Sequence, residues 1–340
     1  MSIRLRSLTI SVVLTFSCAV LHPLHAASRE DAQALPQGRF DARIANHPSG
    51  HPIVNSSKQY GDAVLRAQVL LDRAHFSPGE IDGRFGVNTA RAAAAFNRAR
   101  GIDAGAEISA ATWRALNLDS APVVVRYRIS TDDVGGPFAR IPDEMSDKAK
   151  LPILAYEHPL EALGEKFHAS PRLLAALNPG EQFDRAGTRI LVPNVASAPL
   201  AAVDGVTVRV SKSHRTVVAT DREGRVLAHY PATIGSSHDP LPLGHWRING
   251  IAWFPPFNYD PALFWDAKAS DREAELAPGP NNPVGAVWID LSKPHYGIHG
   301  TPEPSTIGKT SSHGCIRLTN WDAVELASLV RPGVRAILVR

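Results

Sequence analysis

Apolar side chains recur at helical spacing between residues 62 and 118. We expect a first helix with Asp62 as its N-cap and a second over residues 88–100 with Asn88 as its cap. A third helix is predicted to begin near Ser109 and to bury a tryptophan and a leucine. Three short helices around a few large apolar residues predict a small helical domain over residues 62–118.

The apolar pattern over residues 123–194 predicts a second small unit. It favours a strand, two helices and a closing strand, with a loop or insertion over residues 132–150. Ser170 followed by Pro171 is typical of a capped helix start. Residues 195–203, rich in Ala, Pro and Ser, are predicted to be a linker.

Beyond the linker the period of the pattern shifts toward two. Short β-type runs separated by Gly, Pro, Asn and Asp predict a mainly β, sandwich-like or barrel-like domain over residues 204–340. Residues 255–283 are rich in Pro and aromatic residues and show no obvious element. We expect this long loop to cover a substrate. The predicted fold class is therefore multidomain α+β.

The first 27 residues have the parts of a signal peptide, with basic residues, a short apolar run and small residues at 26 and 27. Residues 28–61 are predicted to be a flexible leader. Cleavage would remove Cys18 and leave Cys315 as the only cysteine of an exported, periplasmic protein. An exported lone cysteine usually has a reason such as intermolecular pairing or reactivity. No other segment is apolar enough to span a membrane.

Composition narrows the class of partner. A hydrophobic content of 44% and a charged content of 20% are ordinary for a globular protein, so disorder is not the default interpretation. A formal net charge of +3 does not imply a nucleic-acid partner, whereas it permits mild attraction to an anionic envelope polymer.

Cys315 and His299 are the candidate catalytic pair. A thiol is a useful nucleophile as its thiolate, and a nearby imidazole can take its proton and return it to a leaving amine. Gly314 permits a tight turn in which backbone N–H groups stabilise an oxyanion. Arg317 would point to the same side as Cys315 in an extended chain and hold a substrate carboxylate.

Residue types alone leave other interpretations open. A single cysteine is often a small core residue, and a single histidine is often structural. His299, His313 and Cys315 are also conceivable zinc ligands, although HExxH and paired CxxC spacings are absent from the sequence. The sequence implies no cofactor and no metal.

Three segments resemble known families. The helices with the turn Pro-Gly-Glu-Ile-Asp-Gly-Arg-Phe-Gly at 78–86 resemble the helical peptidoglycan-binding domain, and residues 123–194 resemble a divergent LysM glycan-binding module. The stretch Tyr-Gly-Ile-His-Gly-Thr at 296–301, followed by Ser-His-Gly-Cys-Ile-Arg-Leu at 312–318, is similar to the L,D-transpeptidase catalytic domain of the YkuD type.

The last resemblance implies a mechanism and a cell-wall substrate. Cys315 would attack a tetrapeptide stem of peptidoglycan and form a thioester, and His299 would be its base, oriented by a backbone carbonyl or a group near Gly300. Ser312 and His313 would shape the nucleophile loop and bind substrate, and Tyr296 would line the pocket. A second stem as acceptor gives a 3-3 crosslink. Water gives carboxypeptidase activity, an envelope protein gives protein attachment, and a non-catalytic wall-binding scaffold is the remaining alternative.

Overall fold

The computed structural model describes residues 40–47, 54, 59–200 and 202–340. The predicted signal peptide and most of the predicted leader lie outside these described residues. Within them, no helix is both long and apolar enough to cross a membrane.

The predicted helical domain is formed by helices, although two of its predicted caps are wrong. Gly61 and Gly86, rather than Asp62 and Asn88, precede the first two long helices. The Asp62 carboxylate accepts from the backbone of Asp41, and Asn88 donates to the carbonyl of Ile307 in the last domain, so both side chains make tertiary contacts. The helices are α1 (Ala42–Asn46), α2 (Asp62–Arg73), α3 (Val87–Ala99) and α4 (Ala110–Leu116), the last capped by Ser109, near which it was predicted to begin.

The second unit has the two predicted strands and the two predicted helices, and two further short helices lie in the predicted insertion. Strands β1 (Val124–Arg128) and β2 (Arg189–Pro193) pair antiparallel. Between them lie α5 (Thr131–Gly135) and α6 (Met145–Lys148) in the insertion, then α7 (Pro159–Lys166) and α8 (Pro171–Leu177). Ser170 caps α8, with proline at the first helical position. The two upstream units share one apolar core, which reaches Val226 of the next domain.

The domain over residues 204–340 is built on one curled sheet of eight strands in the order β11-β10-β9-β6-β12-β3-β4-β5. The strands are β3 (Thr207–Ser211), β4 (Thr216–Thr220), β5 (Val226–Pro231), β6 (Gly244–Trp253), β9 (Val287–Leu291), β10 (Gly297–His299), β11 (Ile316–Arg317) and β12 (Arg335–Val339), with helix α9 (Asn320–Leu329) packed on the sheet. Only β10 with β11 and β12 with β3 are parallel among the described pairs. The predicted α+β class is confirmed.

The predicted loop at 255–283 does contain regular structure. Strands β7 (Phe257–Tyr259) and β8 (Ala274–Leu276) pair antiparallel within it. The sequence expectation of an irregular loop is wrong for these residues, because three-residue strands are too short to produce a visible alternation.

The two upstream units are packed against the domain over residues 204–340 by direct polar contacts. The Ser77 hydroxyl donates to the Asp322 carboxylate at 3.0 Å, and both residues are buried. Backbone bonds join Ser77 and His75 to His229 on β5. The three units therefore share buried surfaces.

Two carboxyl groups at this interface are half-buried. Desolvation raises the pKa of Glu165 on α7 to about 8 and that of Glu80 to about 7. Glu165 also accepts from the Asn320 side chain of α9 at 3.4 Å. Between its ordinary pKa and about 8, Glu165 holds a proton in the folded state that it has lost in the unfolded state.

The free energy of unfolding should therefore fall as pH rises from the ordinary pKa of a glutamate to about 8, and Glu165→Gln should remove that loss. Glutamine keeps the acceptor oxygen and has no proton to release. We expect the variant to melt more than about 3 °C above the wild type at pH 9 and within 1 °C of it at pH 4. Thermal unfolding followed by circular dichroism measures the difference, and the exposed Glu181→Gln serves as control. Equal melting temperatures for Glu165→Gln and wild type at pH 9 would show that Glu165 is not protonated in the folded chain.

Candidate active site

A pair of very short strands brings the candidate residues together. β10 ends at His299, and β11 begins directly after Cys315. The strands run parallel, with Ile298 opposite Ile316 and His299 opposite Arg317. Because partners in a ladder project to the same face, His299 and Arg317 share one side of the sheet.

Trp288 on β9 links the histidine to the cysteine. It is paired with His299 across the β9–β10 ladder, and the two rings stack at a centroid distance of 5.4 Å and an interplanar angle of 19°. Trp288 also packs in one apolar cluster with Cys315. A side chain at Gly297 would collide with this indole, since a Cβ there would lie 2.4 Å from it. Glycine at 297 thus lets the indole lie over β10.

His299 is held in one tautomer. Its Nδ1 lies 2.7 Å from the carbonyl oxygen of Gly300. A carbonyl oxygen only accepts, so Nδ1 carries the hydrogen and Nε2 carries the lone pair. Nε2 is buried and has no hydrogen-bond partner in the described part of the chain.

Burial also decides the charge of His299. The side chain is fully buried, and desolvation, reinforced by the charge of Arg317, lowers its pKa to about 3. The Gly300 hydrogen bond acts in the opposite direction and is outweighed. His299 is therefore neutral at physiological pH and able to accept a proton at Nε2.

Cys315 lies at the end of a constrained loop. It is 1% exposed, its sulfur is 3.8 Å from the His295 carbonyl oxygen, and it is disulfide-bonded in this structure. The thiol chemistry proposed below belongs to its reduced form. Gly314 has a φ of 104°, and a Cβ there would lie 2.8 Å from the Tyr296 ring. The Ser312 hydroxyl donates to the Cys315 carbonyl oxygen and closes the loop.

The remaining predicted residues surround this pair. Arg317 is 9% exposed, and burial lowers its pKa to about 10, while Glu303 opposes that shift. Its backbone bonds both ways to Thr233, which fixes the outer edge of β11. Gly300 directly follows His299 and is buried. All eight predicted site residues thus belong to β10, β11 or the loops next to them.

The predicted substrate cover contacts the nucleophile loop. Asp266 lies 2.9 Å from His313 Nε2, and Phe264 packs edge-on against the His313 ring at 5.4 Å. Phe264 is also in the apolar cluster that contains Cys315. The segment 255–283 therefore closes over the cysteine.

The second unit packs against that cover, which the sequence pattern did not indicate. Leu154 donates through its backbone to Pro278 and accepts from Asn281, both at 2.9 Å. Its fully buried side chain joins the cluster around Cys315 together with Met145. A Cβ at Gly279 would lie 2.1 Å from the Leu154 carbonyl oxygen, so the two backbones are in close contact.

The three conceivable zinc ligands do not form a shared set. His299 Nδ1 is committed to a carbonyl oxygen and His313 Nε2 to Asp266. Within the described ranges, no group of three His, Cys, Asp or Glu side chains is arranged to hold a metal ion.

Comparison with known proteins shows to which family the chain belongs. The model of the L,D-transpeptidase catalytic domain, YkuD, matches residues 205–339, and that of a peptidoglycan binding domain matches residues 60–116. YkuD of Bacillus licheniformis, named as an L,D-transpeptidase, is 33% identical over 178 residues, which cover 52% of this chain and 90% of that protein. The chain belongs to the L,D-transpeptidase family.

Further similarities agree with this family. YkuD of Bacillus subtilis, also named as an L,D-transpeptidase, is 31% identical over 182 residues, covering 53% of this chain and 93% of that protein. A solved L,D-transpeptidase from Xylanimonas cellulosilytica aligns with 85% of this chain and 98% of that chain at 16% identity and a TM-score of 0.37. The family assignment rests on the sequence matches. It makes this L,D-transpeptidase a peptidoglycan-crosslinking protein with peptidoglycan as partner.

The contact between Leu154 and segment 255–283 of this L,D-transpeptidase can be tested directly. Leu154→Ala removes a fully buried side chain and should lower the free energy of unfolding by about 2–5 kcal/mol. Ile153→Ala, at a 38% exposed neighbour, should cost less than about 1 kcal/mol. Urea titration followed by tryptophan fluorescence measures both. Equal losses in the two variants would show that Leu154 does not pack against segment 255–283.

Proposed function

We propose that the protein is an exported cysteine acyltransferase that forms 3-3 crosslinks in peptidoglycan. The observation that carries the proposal is a buried pair, the neutral, tautomer-fixed His299 at the end of β10 and Cys315 directly before the adjoining strand β11. The alternatives with water or an envelope protein as acceptor use the same acyl-enzyme and differ in the second step.

In the first step, the Cys315 sulfur bonds to the carbonyl carbon of the L-centre of diaminopimelate in a tetrapeptide stem. The carbon–nitrogen bond to the terminal D-alanine breaks. The thiol proton passes to His299 Nε2 and then to the departing amine, so D-alanine leaves as a neutral amine and a thioester remains. Backbone N–H groups at Gly314 and Cys315 are our candidates for stabilising the oxyanion.

In the second step, the side-chain amine of another stem attacks the thioester. His299 takes the proton that the amine loses and returns it to the sulfur. The burial of both residues supports this chemistry, because water that would hydrolyse the thioester is excluded while segment 255–283 covers Cys315. A stem peptide reaches the sulfur only after this segment moves.

Other predicted residues take supporting roles in the proposal. The buried guanidinium of Arg317 would bind a stem carboxylate, and Tyr296 would line the entrance beside Gly314. Ser312 and His313 would hold the nucleophile loop in shape through the contacts they make with the Cys315 carbonyl and Asp266. The proposed periplasmic location and the glycan-binding role of the LysM-like unit rest on the sequence.

Replacing the pair tests the reaction. Reduced protein incubated with a carbapenem or a tetrapeptide stem should gain a covalent adduct on Cys315 that EDTA does not prevent. Cys315→Ala and Cys315→Ser should form no adduct and no crosslinked stem dimer. His299→Ala should slow acylation by about 10²–10⁴-fold.

Mass spectrometry measures the adduct on Cys315, the crosslinked stem dimer and the rate of acylation. Thermal unfolding shows whether each variant is folded. The exposed His245→Ala should behave as wild type. A wild type that forms no adduct would favour the scaffold interpretation, and a wild type that EDTA silences would favour the zinc interpretation. Released D-alanine without stem dimer would assign the acceptor as water.

The pH dependence of acylation follows from the buried state of His299. Its pKa, held near 3, keeps the base form populated as pH falls, whereas a histidine with an ordinary pKa of 6.5 would be mostly protonated at pH 5. We expect the rate of carbapenem acylation at pH 5 to stay within about two-fold of its value at pH 7. Stopped-flow measurement of adduct formation gives the profile. A half-maximal rate near pH 6.5 would contradict the buried, neutral imidazole.

A further inference from the structure

Asn320 is connected to the catalytic histidine through a single peptide unit. Its Oδ1 accepts from the backbone N–H of Thr301 at 3.1 Å. The carbonyl of that same peptide belongs to Gly300, and it accepts from His299 Nδ1 at 2.7 Å. A planar trans peptide points its N–H and C=O in opposite directions, so Asn320 and His299 hold its two ends.

The Asn320 amide is fully used in this position. Oδ1 also accepts from the Ala286 N–H at 3.0 Å, and Nδ2 donates to the Pro280 carbonyl at 3.2 Å and to Glu165 at 3.4 Å. The side chain is 4% exposed. Two acceptor and two donor positions are thus satisfied, which leaves the amide a single orientation.

The backbone around Asn320 is shaped to fit it. A Cβ at Gly300 would lie 2.1 Å from Asn320 Oδ1, and one at Gly285 would lie 2.0 Å from it. Glycine at both positions allows the amide to reach the Gly300–Thr301 peptide. The mechanism predicted from the sequence named no side chain that orients His299. Asn320 can do so indirectly, by holding the Gly300–Thr301 peptide to which His299 is hydrogen-bonded.

We propose that Asn320 is a positioning residue that fixes the tautomer and direction of His299 through the Gly300–Thr301 peptide, and that Glu165 of the upstream unit holds Asn320 in place. The inference rests on the proposed function, since it concerns the base of that reaction. Hydrogen bonds in series polarise one another, so the acceptor at one end of the peptide strengthens the bond at the other.

Two substitutions separate orientation from stability. Asn320→Ala removes the acceptor, and we expect the first-order rate of Cys315 acylation at saturating carbapenem to fall about 10–100-fold with the half-saturating concentration unchanged. Asn320→Asp keeps the acceptor and adds negative charge at the far end of the peptide. It should retain acylation within about five-fold of wild type and move the acid limb of the pH profile to higher pH, because the carboxylate favours the imidazolium form.

The matched control is Asn97→Ala in the helical domain. Asn97 is 1% exposed and uses its amide to bind two backbone carbonyls and a threonine, so its loss costs stability without touching the site. Full-length reduced protein is used throughout, and thermal unfolding is recorded for each variant.

The outcomes are distinct. An Asn320→Ala rate equal to that of Asn97→Ala, or an Asn320→Asp profile that coincides with wild type, would overturn the positioning role. If Asn320→Ala does not fold, the Asn320→Asp profile alone decides. A wild-type protein that forms no adduct would instead refute the proposed acyltransferase.

Discussion

The parallel pairing of β10 with the two-residue strand β11 is the constraint on which the site depends. It places His299 opposite Arg317 and brings the loop that ends in Cys315 beside the indole of Trp288. A strand this short has few ladder bonds of its own. Thr233 therefore matters, because its two backbone bonds to Arg317 hold the outer edge of β11.

Burial gives the site its chemical character. The imidazole of His299 stays neutral because desolvation opposes its protonation, and the Gly300 carbonyl selects the tautomer that leaves Nε2 as base. The same packing closes the cysteine under Phe264. Burial thus both keeps His299 neutral and shields Cys315 from water.

The upstream units contribute to this burial as structural parts of the enzyme. Leu154 of the second unit holds segment 255–283 by backbone bonds, and Glu165 contacts Asn320 beside the Gly300–Thr301 peptide. Ser77 meets Asp322 on α9 from the helical domain. The three units are separate segments of the sequence, but they contact one another through buried polar and apolar surfaces. These contacts favour a fixed arrangement of the units over independent motion.

The sequence by itself determined the α+β class, most helices, and the Cys315 and His299 candidates, because helical periodicity, Ser caps and a Ser-His-Gly-Cys motif are local signals. It misassigned Asp62 and Asn88 as caps. Asp and Asn can cap a helix or make a long-range hydrogen bond, and the sequence does not show which of the two they do. Only the tertiary structure decided the roles of Trp288, Leu154 and Asn320. Their contacts join residues far apart in the chain, and the depressed pKa of His299 exists only once packing removes water from its ring.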